Sequence, residues 1–249
     1  MNERLISLRQ TWAAILALVL ASALSCGFAV VRALRYEHIA YGFFFWNLIL
    51  AWVPMFAALL FYGLAARRSR RWLVMSGTAV IWFLFFPNAP YIVTDIVHLH
   101  ERPPVPYWYD IIAIMAFAQT GLFLGYLSLY LMQEVIRAWM GRWIGWIFAL
   151  VMMGLSAFGI YLGRFLRWNS WDALLDPIDT LRNAARVANP WNNPQPLAFS
   201  ATFFAFSLVC YLIVYSFTHL HGWVQRAAQP GGSLEKPVEK PVAVARDLR

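Results

Sequence analysis

The chain has 249 residues, of which 61% are hydrophobic, 17% aromatic and only 13% charged, with a mean hydropathy of +0.57 and a formal net charge of +8. A soluble domain is about a quarter charged and interrupts its apolar residues, so this composition excludes a soluble globular protein, a disordered chain and a disulfide-stapled secreted module. The positive excess sits in short runs beside apolar segments, where it sets orientation and meets anionic headgroups rather than nucleic acid.

Hydropathy predicts an all-α, polytopic transmembrane helix bundle of about six spans, near 11–31, 43–65, 72–86, 111–132, 146–162 and 197–217. Helices are required because an open strand would leave its backbone unpaired in lipid, and the runs lack the alternation of a membrane barrel. In chain order, the segment Trp12–Val31 carries no charge and is 20 residues long. That length spans a bilayer, so the N-terminus reads as an uncleaved anchor despite the signal-like Ala21-Ser22-Ala23. Cys26 and Cys210 each fall inside an apolar run and show no metal or disulfide spacing.

The second span leads into Arg67-Arg68-Ser69-Arg70-Arg71, the strongest orientation marker. If the spans alternate, that side collects 13 Lys and Arg against 7 on the other. Both termini are therefore expected in the cytoplasm.

The third span is short, and Pro87 and Pro90 stop a regular helix and each remove a backbone donor. Apolar residues resume from Tyr91 to Val97, so a helix broken at Pro87–Pro90 is expected, with Asn88 beside the break. Beyond it, Asp95, His98 and Glu101 recur every three residues, along one flank of a helix. Asp95 and His98 are the candidate proton-transfer or ligand pair. With Glu101 they form a weak alternative metal set, weak because Glu101 must converge with the other two and no H-E-x-x-H is present. An interfacial Asp–His hydrogen bond explains the same residues without function.

Asp110, after Tyr107-Trp108-Tyr109, reads as a cap for the fourth helix. Gly121/Gly125 and Gly159/Gly163 read as packing faces within the molecule, with dimerisation as the lesser reading. Trp72, Trp108, Trp139, Trp143 and Trp223 suit an interfacial belt.

The fifth span closes on Gly163-Arg164-Phe165-Leu166-Arg167-Trp168-Asn169-Ser170-Trp171-Asp172. Arginine forks bind phosphate or carboxylate bidentately, and tryptophan can cover them. Arg164, Arg167, Trp168, Asn169 and Asp172, with Asn88, are thus candidate substrate-binding residues. Snorkelling arginines beside belt tryptophans are the plain alternative. Asp176-Pro177 starts a short amphipathic helix near 177–188, expected on the outer surface. Residues 1–226 form one transmembrane domain, and 227–249, rich in Pro, Gly and charge, form a disordered cytoplasmic tail.

Pro87-Asn88-Ala89-Pro90-Tyr91 with Thr94-Asp95 and His98-Leu99, then Gly163 to Asp172, resemble a bacterial integral-membrane family, Domain of Unknown Function 1361, from about Phe43 to Phe217. The resemblance implies a polytopic protein of the bacterial inner membrane and brings no activity, cofactor or site residues with it. From the residues themselves, the expected function is an outward-facing polar pocket that binds or processes an anionic, lipid-linked or envelope substrate. A subunit that assembles membrane complexes and a small-solute transporter are the rival readings, and whether the protein is an enzyme stays open. Walker, G-x-S-x-G and dinucleotide signatures are missing, so no cofactor is named. The expected partners are the bilayer, an anionic or lipid-linked ligand, and either a second copy or another membrane protein.

Overall fold

The computed structural model describes residues 8–36, 42–67, 71–101, 103–167, 176–187 and 194–227. Six of its helical segments are long and apolar enough to cross a membrane, and no strand occurs among the described residues. The chain is a multi-pass, all-α membrane protein, as its hydropathy dictates.

The helices are α1 (Leu8–Tyr36), α2 (Gly42–Ala66), α3 (Trp72–Phe85), α4 (Asn88–Tyr91), α5 (Tyr107–Met140), α6 (Arg142–Phe165), α7 (Pro177–Val187) and α8 (Gln195–Ala227). A 3-10 helix, Ile92–His98, follows α4 directly. The spans alternate in direction. Tyr36, His98 and Phe165 therefore finish spans at the end where Gly42, Tyr107 and Gln195 start them. We call this the Asp95 end, and the opposite one the arginine-loop end.

The third span differs from its expected bounds. It does not stop at Phe86 but runs from Trp72 to His98, 27 residues. Phe86 and Pro87 keep helical dihedrals, and the Tyr91 amide donates to the Pro87 carbonyl at 3.0 Å. Proline is tolerated in a first helical turn, where its missing N–H had no partner to lose. The break is real but local: the span continues beyond it, and its last two turns tighten into 3-10 geometry.

Close approach at the break explains one glycine pair. A Cβ on Gly121 would lie 2.5 Å from the Ala89 carbonyl oxygen, and one on Gly125 3.2 Å from Pro90 Cδ. The pair Gly121/Gly125 is therefore an intramolecular face that seats α4 against α5. Gly159 lies against Pro87 at ordinary contact distance, 3.4 Å.

Helix α5 is the central element, and its buried residues extend from Asp110 to Val135. It starts earlier than hydropathy indicates, at Tyr107, and runs past its expected C-terminal bound because Glu134 and Arg137 lower the apolar average without interrupting the helix. Trp82 is fully buried and donates from Nε1 to Ser128 Oγ at 3.1 Å, which satisfies an indole inside the bundle. Trp72, Trp108, Trp139 and Trp143 are exposed near helix ends, as a belt requires; the side chain of Trp223 lies outside the described residues.

Helix α7 starts as expected, with the Asp179 amide donating to Asp176 Oδ1 at 3.2 Å. Ile178 is exposed. The tail from 228 lies outside the described residues.

Candidate functional site

The 3-10 helix has three residues per turn, so side chains three apart eclipse one another. Asp95 and His98 thus stand on one ridge, and Tyr91 and Thr94 on the next. Arg164 is in the last turn of α6, which ends at the same end of the bundle. Its guanidinium reaches both ridges. Nε donates to Thr94 Oγ1 at 2.9 Å, and Nη2 to the same oxygen at 2.7 Å. Nη2 also forms an ion pair with Asp95 Oδ1. Nη1 lies 3.2 Å from His98 Nε2. The Arg164 Cζ sits 4.4 Å from the centre of the Tyr91 ring, a cation–π contact.

The other side of Asp95 is closed by α2. Asn47 Nδ2 donates to Asp95 Oδ2 at 2.8 Å. Phe43 packs its ring 4.9 Å from that of His98. Thr94 Oγ1 donates in turn to the Tyr91 carbonyl at 2.7 Å, which leaves its lone pairs to Arg164. Asp95 is 1% exposed and the Arg164 side chain 13%. A charge pair at such depth is tolerated only when its remaining polar atoms are also satisfied, and here both carboxylate oxygens are engaged.

Arginine donates and never accepts, so in this contact His98 Nε2 is the acceptor. The cluster pairs the Arg164 guanidinium with the Asp95 carboxyl group. It is charge-compensated, with its guanidinium fork turned inward on residues of the same chain.

The candidate residues divide accordingly. Asp95, His98 and Arg164 converge. Asn88 serves the helix break, its Nδ2 donating to the Phe85 carbonyl at 3.2 Å. Arg167 does not join: it is exposed just beyond α6, with a φ of 59°. Trp168, Asn169 and Asp172 lie outside the described residues. Glu101 is exposed beyond the 3-10 helix, and no metal-holding group of three His, Cys, Asp or Glu occurs among the described residues.

Three partners escape a reading of the sequence alone. Tyr91 and Thr94 stand inside the motif yet look like spacer residues until the three-residue period is known. Asn47 is a single amide in the apolar run of α2, and that isolation was its signal.

A second buried ion pair lies at the same end. Arg32 Nε donates to Asp110 Oδ1 at 2.7 Å and Nη2 to Oδ2 at 3.1 Å, with both side chains 2% exposed. The expectation that Asp110 caps α5 is corrected: the N-cap position is Pro106, with no side-chain cap bond, and the carboxylate is held by α1. A bidentate arginine is the stronger partner for a buried carboxylate than the first amides of a helix. Tyr109 Oη and Ser25 strengthen the same seam, bonding the Phe28 carbonyl at 2.9 Å and Thr120 Oγ1 at 3.2 Å.

At the arginine-loop end, Glu134 pairs with Arg137 at 3.0 Å, and Arg137 Nη1 donates to the Tyr215 hydroxyl at 3.3 Å.

The model of a family described as protein of unknown function (DUF1361) matches residues 46–213, which contain Asn47, Asp95, His98 and Arg164. Helix α1 and Arg32 fall outside that match. No curated protein and no solved structure matches the chain.

Proposed function

The chain belongs to the DUF1361 family, and we propose that Asp95, His98 and Arg164 form a ligand site at the non-cytosolic face of a bacterial inner-membrane bundle, where an anionic, lipid-linked or envelope substrate is bound or processed. The observation that carries this reading is the convergence of an acid, an imidazole and a guanidinium from two separate spans at one helix end. An incoming phosphate or carboxylate would replace the Asp95 carboxylate on the Arg164 guanidinium. The displaced carboxylate and His98 would then stand beside the bound group as a proton-transfer pair.

The orientation rests on the arginine loop. Of the seven positive residues assigned to the Asp95 end, Arg32 and Arg164 are neutralised by buried aspartates. The remaining charge asymmetry favours the arginine-loop end as cytoplasmic, and with it both termini.

One observation favours a second reading. Both oxygens of Asp95 are already satisfied by Arg164 and Asn47, as in a tie that only fastens α2, α6 and the third span together for an assembly role. The two readings separate under charge exchange. In a deletion strain, with membrane levels of the protein measured in parallel, Asp95→Asn and Arg164→Gln should each abolish complementation. The exchanged pair Asp95→Arg with Arg164→Asp should restore protein levels but not function if the site binds substrate. Restoration of both would establish the structural tie instead.

A further inference from the structure

One stripe of α5 is covered along half its length and bare along the other. Tyr126, Tyr130, Gln133 and Arg137 follow the three- and four-residue spacing of a single helix face, and α8 lies over them. The rings of Tyr126 and Tyr130 meet those of Tyr211 and Tyr215 at 6.1 and 5.9 Å, and the Tyr211 hydroxyl donates to Gln133 Oε1. The same spacing continues upward through Phe123, Gln119, Met115 and Ile112. There no described residue covers it: Ile112 is 47% exposed, Met115 45% and Phe123 40%, and Gln119 is exposed among them. Helix α8 has left the stripe by this height, where Phe199 packs instead on Tyr161 and Phe165 of α6.

Gln119 makes no hydrogen bond among the described residues. It stands nine residues below Asp110, about 14 Å along the axis, and some 22 Å above Glu134. A hydrocarbon core of about 30 Å placed between those two charged levels encloses it. Acyl chains offer a primary amide neither donor nor acceptor, and water is absent at that depth. A helix with its own polar side chain can supply both. The amide carries a donor and an acceptor, so it is complementary to itself. A two-fold axis along the membrane normal would set Gln119 against Gln119 in parallel helices, each N–H donating to the other carbonyl. The small-residue face of α5 cannot serve this purpose, because Gly121 and Gly125 already hold α4.

We propose that the chain pairs with a second copy of itself through the upper stripe of α5, with the Gln119 amides facing each other across the axis. The stripe thus continues within the dimer the seam that α8 completes within one chain.

Disulfide trapping in native membranes tests this. The free thiols are removed first, as Cys26→Ala and Cys210→Ala. Cysteine is then placed at Met115 or Phe123, with Gln119 intact, and at Ile147 as a control that is 59% exposed on α6. Mild oxidation should give a crosslinked dimer of this chain at 115 or 123 and not at 147. Adding Gln119→Leu, which suits lipid and leaves insertion intact, should weaken dimerisation about tenfold. Crosslinking at 115 and 123 no greater than at 147, a product containing a different protein in place of the dimer, or a dimer yield unchanged by Gln119→Leu would each overturn the proposal. None of these outcomes depends on what the Asp95 site binds.

Discussion

The hydrogen-bond polarity at His98 follows from its neighbour. Arg164 offers only N–H groups, so any side chain at position 98 must present an acceptor. His98→Gln keeps one in its Oε1, and the variant should retain the parent's melting temperature in detergent to within a few degrees. His98→Arg sets a second cation against Arg164 in a site closed by Phe43 and should lose stability on the order of 1–3 kcal/mol, read as a clear drop in the same melt. Equal melting of the two variants would contradict the acceptor role of His98 toward Arg164. Asp95, His98 and Arg164 were legible in the sequence because ionisable residues are scarce here and cluster at span ends. Arg167 stands apart from that cluster, exposed just beyond α6 with a positive φ, a position that its place beside the span end did not disclose.

Among the elements, the broken third span decides the most. Pro87 and Pro90 announced the break, but hydropathy could not say that the chain continues in the same direction for seven more residues as a 3-10 helix. That continuation brings Asp95 and His98 onto one ridge. It depends on the bare backbone of α5 beneath it. Gly121→Ala would press a methyl group against the Ala89 carbonyl, a backbone atom that cannot turn aside. The cost should be about 1–3 kcal/mol. Gly154→Ala, with nothing within 4 Å of its added Cβ, should be nearly neutral. Thermal unfolding of both variants in one detergent checks the contrast, and an unaffected Gly121→Ala would show that α4 does not need this close seat. The amphipathic α7 was legible down to its capping Asp176 because that signal is local. Tertiary partners left no such trace. Asp110 resembled a cap, and only the fold reveals that Arg32, 78 residues away in sequence, holds it.

Across the whole molecule the polar chemistry is divided between two ends of an apolar bundle. The six-span topology was readable from hydropathy alone, and alternation then forced the ends of the third and fifth spans to the same side. What no single segment could disclose is how tightly that side is compensated, with two arginines buried against two aspartates. Those pairs also sharpen the charge asymmetry on which the orientation depends. The most direct test is therefore topological. In the cysteine-free background, His100→Cys places an exposed thiol two residues beyond His98. A membrane-impermeant maleimide should label it in intact spheroplasts to the same extent as in lysed ones, as expected for a site facing away from the cytoplasm. Labelling that appears only after lysis would put Asp95, His98 and Arg164 on the cytoplasmic side and contradict the account.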